Sequence, residues 1–505
     1  MVETDSTRLV KGSAYLASQS IVTTLISAVA LAFTARILTQ VEMGVVVALT
    51  LVLGLAQVLT DLGFGAGLTK FAAEYRGKGV DFTAMSFGAF LAKTLMAGSA
   101  AILCVLVAPW LSGFLLKSGE YTFLFQLLGV NIVTFCYRFT VSSLLLGTNR
   151  IGDMAILNLV STFIGKASGV VFLVFGSGLS GIIIGWISGE LIYIIPSALI
   201  ILRNKYVKAH PLGEVAHHLK TLARFSWPLF VSGVVLFAYT WFDQGLLLAY
   251  VSLDDVAVYN VAIRAFTVLS IIPVALGSVL FPYYSEQRGK DEKDKIVAGV
   301  YGSSRYTALL YTPLALGLMA TANPALTFFA GEAYVGGEVV LSILCIFGGL
   351  YGFVASIGNL LLVYGMTPTA LAINVASIVG GVVMLPVLLP SFGVVGMAVV
   401  KGVAMIMVLV LTVAVLRKRM PIMFDKEALW KSWTAATVMS MAVWLVEFLH
   451  FDPYLLPLYV AVGGVVYMFA LRVLGAVNEN DMMLVRRLVG KKAAVLVDVV
   501  EKILV

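Results

Sequence analysis

The sequence of 505 residues is 60% hydrophobic and only 12% charged, and its formal net charge is +7 at pH 7. Soluble domains carry about 25% charged residues, so this composition excludes a soluble enzyme or binding module. The apolar runs continue for about 20 residues instead of alternating in short strands, which predicts an all-α polytopic membrane protein. Basic residues gather on the cytoplasmic side of such proteins, so the positive charge does not indicate a nucleic-acid partner.

The apolar runs predict about fourteen transmembrane helices in chain order. The first six are expected at roughly 12–35, 43–68, 83–108, 121–146, 153–176 and 179–202. The next six are expected at roughly 226–250, 256–281, 299–329, 338–364, 368–390 and 393–416. The last two are expected at roughly 431–449 and 454–475, and the longest internal loops at roughly 203–224 and 284–298.

The distribution of basic residues predicts the orientation of these helices. The odd-numbered loops hold Arg36 and Lys117, whereas the other loops and both termini carry many more Lys and Arg residues. Because positively charged loops stay in the cytoplasm, both the N-terminus and the C-terminus are expected there. The chain is therefore expected to be a multi-pass protein of a bacterial inner membrane or an archaeal plasma membrane.

A short polar pattern recurs in the second half of the chain. At an offset of 212 residues, the matching residues are Glu74 and Glu286, Arg76 and Arg288, Gly77 and Gly289, and Lys78 and Lys290. The offset predicts two parallel units of six helices, an N-lobe at 1–210 and a C-lobe at 211–420. Two further helices are expected at 421–475, followed by a basic cytoplasmic tail at 476–505.

Two segments carry a resemblance to a known family. The segment from Ala35 to Lys78 and the segment from Phe242 to Gln287 resemble the polysaccharide flippases of the multidrug/oligosaccharidyl-lipid/polysaccharide exporter superfamily. The resemblance covers essentially the whole chain, and its motifs are specific in order and spacing. It implies two pseudo-symmetric six-helix lobes around a central cavity that opens alternately to each membrane face. The implied cargo is an oligosaccharide on a polyprenyl (pyro)phosphate carrier, moved from the cytoplasmic leaflet to the outer leaflet.

Ionisable residues within the spans are the candidates for binding this cargo, because a charge in the bilayer is costly and is expected to face a cavity or a partner. Arginine offers a planar fork for phosphate oxygens, and lysine offers a compact charge. The alternative is that these side chains snorkel to the interface or pair with nearby acids. The predicted substrate-binding residues are Lys93, Arg138, Lys166, Arg264, Arg305 and Lys401, with Arg36 at the outer end of the first span.

Two of these arginines also rest on the resemblance. Arg264, in the segment VAIRAF, matches a cavity-lining arginine of the family, and it lies about two turns inside its predicted span. Arg36, in the segment ARIL, matches a cavity arginine of the related lipid II flippases. Its alternative role is to anchor the first span at the membrane interface.

The intramembrane acids are Asp61, Glu190 and Asp243, and they are candidates for coupling transport to H⁺ or Na⁺. Helix capping or pairing with a neighbouring cation is the alternative for each acid. The sequence contains neither a phosphate-binding GxxxxGK[ST] loop nor a CxxC pair, so no cofactor and no metal are expected.

Three functions remain open at this point. The first is the flippase, a transporter without covalent chemistry whose partners are the lipid-linked oligosaccharide and membrane lipids. The second is an ion-coupled multidrug or cation exporter of the same superfamily. The third is a membrane glycosyltransferase or polymerase acting on lipid-linked sugars, although the short external loops argue against it. A monomer is plausible on the sequence alone.

Overall fold

The structure is a computed structural model that describes residues 5–478 and Asp481. Among these residues it contains helices and no strand, which confirms the predicted all-α class. The contacts divide the chain into two units, Met1–Asn260 and Val261–Val505. The predicted lobe boundaries at 210 and 420 stay predictions, and most of the predicted tail at 476–505 lies outside the described residues.

Most helices of the first unit are long, because their apolar runs reach the length that a bilayer requires. The helices are α1 (Asp5–Ile37), α2 (Gln40–Asp61), α3 (Phe64–Lys78), α4 (Thr83–Leu116), α5 (Thr122–Gly147), α6 (Ile151–Phe172), α7 (Gly178–Arg203) and α8 (Leu212–Tyr250). The next helix, α9 (Leu253–Val268), begins in the first unit and ends in the second.

The second unit has more interruptions along its helices. Its helices are α10 (Ile271–Gly289), α11 (Lys293–Tyr306), α12 (Thr312–Ala320), α13 (Ala322–Ala330), α14 (Glu338–Tyr351), α15 (Val354–Val363), α16 (Thr367–Val383), α17 (Leu385–Leu416), α18 (Lys426–Leu449) and α19 (Leu456–Val473). The predicted loop at 284–298 is largely helical, because α10 continues to Gly289 and α11 begins at Lys293. The exposed ion pair between Glu286 in the last turn of α10 and Lys290, the residue just after this helix, supports the extension.

Within the described residues, ten helices are long and apolar enough to cross a bilayer, or up to twelve when two bent pairs each count as one span. The bent pairs are α9 with α10, at 44°, and the helix Lys293–Ala320 with α13, at 75°. The predicted number of about fourteen spans is not reached by this count and stays a prediction.

The bend between α9 and α10 has a cause in the sequence. Pro273 lacks a backbone N–H, and its ring excludes the helical position of the carbonyl four residues earlier, at Leu269. The chain turns there, where the N–H groups of Leu269 and Ser270 donate to the carbonyls of Phe266 and Thr267. Pro282, by contrast, lies inside α10 without ending it.

The segment Ile151–Arg203 folds back on itself as a hairpin. It reverses at Gly176 and Gly178, whose φ angles of 83° and 54° suit glycine. The hairpin brings the backbone of α6 against the backbone of α7, and a Cβ on Gly185 would lie 2.4 Å from the Cα of Gly169. Such close approach of small residues is a common way to pack helices in membranes.

The residues matched by the 212-residue offset make the same contacts in both halves. Arg76 donates to the carbonyl of Thr148 just after α5, and Arg288 donates to the carbonyl of Val363 at the end of α15. The Glu–Lys pairs beside them also recur, with Lys78 2.6 Å from Glu74 and Lys290 2.5 Å from Glu286. In each half, a cation therefore stabilises the negative end of a helix dipole.

The substitution Gly185→Ala tests the packing of the hairpin. The added Cβ would force α6 and α7 apart, and overpacking of this kind costs about 1–3 kcal/mol. We expect a lower thermal melting midpoint of the purified protein in detergent. The control is Gly98→Ala on α4, where the Cβ meets nothing within 4 Å. Equal melting midpoints for both variants would contradict the packing argument.

Candidate functional site

Arg138 joins three helices of the first unit. Its Nη1 donates to Oε1 of Glu190 on α7 at 3.1 Å, and its Nη2 donates to Oδ1 of Asn158 on α6 at 2.8 Å. The guanidinium also lies 5.4 Å from the centre of the Tyr193 ring. Because both terminal nitrogens are engaged on different helices, the fork of Arg138 is held in one orientation.

A second cation, Lys166, lies beside the pair of Arg138 and Glu190. Lys166 on α6 lies close enough to Glu190 for an electrostatic interaction, and its Nζ is 6.0 Å from the centre of the Trp186 ring. We call Arg138, Asn158, Lys166 and Glu190 the α5–α7 cluster. It holds two cations and one carboxylate, and the Arg138 side chain is 24% exposed whereas that of Glu190 is 9% exposed. The structure thus brings together three of the residues singled out from the sequence.

Lys93 and Asp61 form a second ion pair in the first unit. The Nζ of Lys93 donates to Oδ1 of Asp61 at 2.5 Å and to the carbonyl of Thr60 at 3.1 Å. Asp61 ends α2, and its Oδ1 also accepts the N–H of Gly65 in the first turn of α3 at 3.1 Å. A carboxylate at a helix N-terminus is favourable, so Asp61 is held by both the lysine and the helix. The side chain of Lys93 is only 2% exposed.

Asp243 is fully buried on α8 and accepts a hydrogen bond from the hydroxyl of Tyr259 on α9 at 2.7 Å. One residue further along each helix, Asn260 donates its side-chain amide to Oε1 of Gln244 at 2.7 Å. Two adjacent polar contacts therefore connect α8 to α9. The sequence marked Asp243 through its charge, but it gave no means of recognising the neutral partners.

Arg305, on α11, contacts the segment just before α18 and the segment just after α19. It donates through Nη1 to Asp425 at 2.9 Å, and through Nε and Nη2 to Asp481 at 3.1 and 2.6 Å. Its Nη2 also donates to the carbonyl of Ala476 at 2.7 Å. Asp425 caps α18, since its Oδ1 accepts the N–H of Ala428 at 2.9 Å. We infer that Arg305 holds the C-terminal helices in place.

The other predicted cations are distributed over both units. Arg36 is exposed at the last turn of α1, and Arg264 is half-buried in α9. Lys401 is 5% exposed within α17. Each of the three takes part in a polar, electrostatic or ring contact. Their predicted role in binding substrate stays a prediction.

Several partners of the predicted residues were not anticipated from the sequence. Asn158 and Tyr193 complete the surroundings of Arg138, and Asp425 and Asp481 neutralise Arg305. Asn158 could have been recognised as a candidate because it is a polar residue within an apolar run. Among the described residues, no group of three His, Cys, Asp or Glu side chains is placed to hold a metal ion.

Comparison with known proteins gives consistent relatives. "Probable low-salt glycan biosynthesis flippase Agl15" of Haloferax volcanii is 24% identical over 375 residues, covering 73% of this chain and 75% of the relative. "Succinoglycan biosynthesis transport protein ExoT" of Rhizobium meliloti is 26% identical over 321 residues, covering 63% of this chain and 61% of the relative. One is named as a flippase and the other as a transport protein, in agreement with the expectation of a transporter rather than a glycosyltransferase or polymerase.

The fold is also found among solved structures. It is similar to "Lipid II flippase MurJ, inward closed conformation", with a TM-score of 0.75 and 16% identity over 91% of this chain and 98% of that chain. A multidrug resistance MATE family transporter in an inward-facing conformation gives a TM-score of 0.63 and 14% identity, covering 80% of this chain and 99% of that chain. These similarities confirm the predicted all-α, multi-pass fold, and the fold by itself assigns neither a role nor a cargo.

The sequence profile of the family described as "Polysaccharide biosynthesis protein" matches residues 9–287, which is more than half of the chain. The match includes the two segments on which the resemblance rested. The chain therefore belongs to the polysaccharide biosynthesis protein family.

Proposed function

We propose that this protein is a flippase that moves an oligosaccharide linked to a polyprenyl (pyro)phosphate from the cytoplasmic leaflet to the outer leaflet. It works by alternating access in the cell membrane, with both termini in the cytoplasm. Its family and the flippase and transport names of its relatives support this proposal. The predominance of basic residues in the even-numbered loops supports the orientation.

The observation that carries the proposal is the presence of two cations beside Glu190 in the α5–α7 cluster. Arg138 pairs with Glu190, and Lys166 also acts on this carboxylate, among apolar helices. Charges within a membrane are costly, and by default they face a cavity or a ligand. A phosphate group is the kind of ligand that an arginine fork and a lysine bind together. The partial exposure of Arg138 gives such a ligand access to the guanidinium.

The other charged residues take different parts in the proposal. Arg36, Arg264 and Lys401 offer additional cations for the carrier phosphate or for acidic sugars. Asp61, Asp243 and Glu190 are the candidates for coupling to H⁺ or Na⁺, and a monomer is sufficient for the mechanism. Lys93 and Arg305 hold fixed carboxylates in the structure, which supports a structural role for these two residues.

A cation exporter of the same superfamily is the second candidate, and the similarity to the multidrug transporter fold favours it. The two functions require opposite charge in the substrate site. A cluster with two cations suits an anionic cargo and repels an organic cation. Proteoliposomes that export a cationic dye but leave lipid-linked oligosaccharide in place would support the exporter.

The substitution Arg138→Ala tests the flippase. A hydrogen bond to a charged group contributes about 1.5–3 kcal/mol, so we expect the flipping rate to fall by about 10- to 100-fold. The measurement is the accessibility of a labelled polyprenyl-pyrophosphate oligosaccharide to an impermeant glycosidase in proteoliposomes. Arg138→Lys keeps the charge without the fork and should retain intermediate activity.

The control for this experiment is Lys78→Ala, because the Lys78 side chain is 62% exposed and pairs with Glu74 outside the cluster. Its flipping rate should stay within about twofold of the parent, as expected of a surface pair. A well-folded Arg138→Ala variant that flips the oligosaccharide at the parent rate would refute the role assigned to the cluster.

The substitution Arg305→Ala separates a structural role from substrate binding. It leaves Asp425 and Asp481 without their shared cation, and breaking a buried ion pair costs about 3–5 kcal/mol. We expect a lower melting midpoint and a lower yield in detergent, with Arg305→Lys intermediate. If Arg305→Ala instead melts like the parent protein and fails to flip, Arg305 contacts the cargo.

A further inference from the structure

The two oxygens of the Glu190 carboxylate differ in their hydrogen bonding. Its Oε1 accepts the hydrogen bond from Arg138, whereas its Oε2 is buried without a hydrogen-bond partner in the part of the chain that the structure describes. A buried carboxylate oxygen without a donor is unfavourable because it has lost its hydration. Adding a proton to this carboxylate removes the charge that burial disfavours.

Resting on the function proposed above, we infer that Glu190 is a proton-accepting gate that controls whether Arg138 can bind the phosphate of the cargo. When Glu190 is ionised, its Oε1 holds Nη1 of Arg138. When Oε2 takes up a proton from solution, the carboxyl becomes neutral and its hold on the guanidinium weakens. Arg138 then turns its charge to an incoming phosphate oxygen, and no covalent bond is made or broken in the protein.

The charged neighbours of Glu190 fit this arrangement. Its helix, α7, packs against α5 and α6, which contribute Arg138 and Lys166 respectively. Tyr193, on α7 itself, is a further titratable group beside the pair. Protonation of Glu190 changes the net charge of the α5–α7 cluster from one positive charge to two. The cluster then attracts an anion more strongly at the same time as its arginine is released.

The geometry of Arg138 permits the exchange. A guanidinium has five N–H donors, and the contacts to Glu190 and Asn158 engage one on each terminal nitrogen. The acceptor of the second hydrogen bond is the uncharged amide oxygen of Asn158, so this bond remains when Glu190 is protonated. Asn158 therefore keeps the side chain in place while Nη1 changes partner, and a positioning role is assigned to it.

Proton binding and phosphate binding at this site are then linked, and each favours the other. Uptake of one proton with the ligand makes the affinity rise by up to about tenfold for each unit of decreasing pH. The affinity depends on pH over the range in which Glu190 takes up its proton. At lower pH, where Glu190 is already neutral, this dependence is lost.

The experiment measures binding of farnesyl pyrophosphate to the full-length protein in nanodiscs between pH 5.5 and 8.5. Because the probe itself titrates, the inference is tested by the difference between the parent and Glu190→Gln. The parent should bind more tightly as the pH falls. Glu190→Gln should bind tightly at all pH values, with a flatter profile and at least about tenfold higher affinity than the parent at pH 8.5.

The matched control is Asp153→Asn, which removes a carboxylate from an exposed pair with Arg150 outside the cluster. It should keep the pH profile of the parent. The double variant Glu190→Gln with Arg138→Ala should lose the high affinity, because it has no Arg138 guanidinium to bind the phosphate. Melting curves of all variants establish that they are folded.

The outcomes distinguish the gate from the flippase itself. Parallel pH profiles for the parent and Glu190→Gln, with flipping intact, overturn the gate and leave the proposed function standing. Failure of the parent to bind the pyrophosphate and to flip any lipid-linked oligosaccharide overturns both.

Discussion

A charge buried among membrane helices needs a partner a few ångströms away. It has lost its hydration, and the apolar side chains around it cannot replace the lost interactions with water. This constraint fixes much of the polar structure. Lys93 meets Asp61 at the junction of α2 and α3, and Arg138 meets Glu190 between α5 and α7. Each pair joins segments that are distant in sequence, so charge balance and helix packing support one another.

The same constraint separates structural charges from functional ones. Arg305 is held by two carboxylates and a backbone carbonyl, an arrangement that satisfies most of its donors. Arg138 has one carboxylate and one neutral amide, and a lysine stands close by. A cation held by two carboxylates anchors a fold, whereas one that shares a single carboxylate with a second cation retains affinity for an anion.

The helical class and the identity of the membrane-embedded charges could be predicted from the sequence, because both depend on composition over a window of residues. Pro273 accounts for the bend after α9 by the same local reasoning, and α9 ends close before it. The partners could not be predicted. Asp425 and Asp481 are distant from Arg305 in sequence, and only tertiary packing brings them within hydrogen-bond distance. The helical parts of the predicted loop at 284–298 were also missed, since a polar helix end has no apolar period to mark it.

A cation occurs at corresponding positions in the two halves of the chain, but the carboxylates that pair with it differ. Lys93 and Arg305 are separated by the same 212 residues that relate Arg76 to Arg288. Lys93 takes its carboxylate from α2 in the first unit, whereas Arg305 takes its carboxylates from residues just before α18 and after α19. The stability of the second unit thus depends on the segments around α18 and α19 through charge as well as packing, because without them the cation of Arg305 would lose both of its carboxylates.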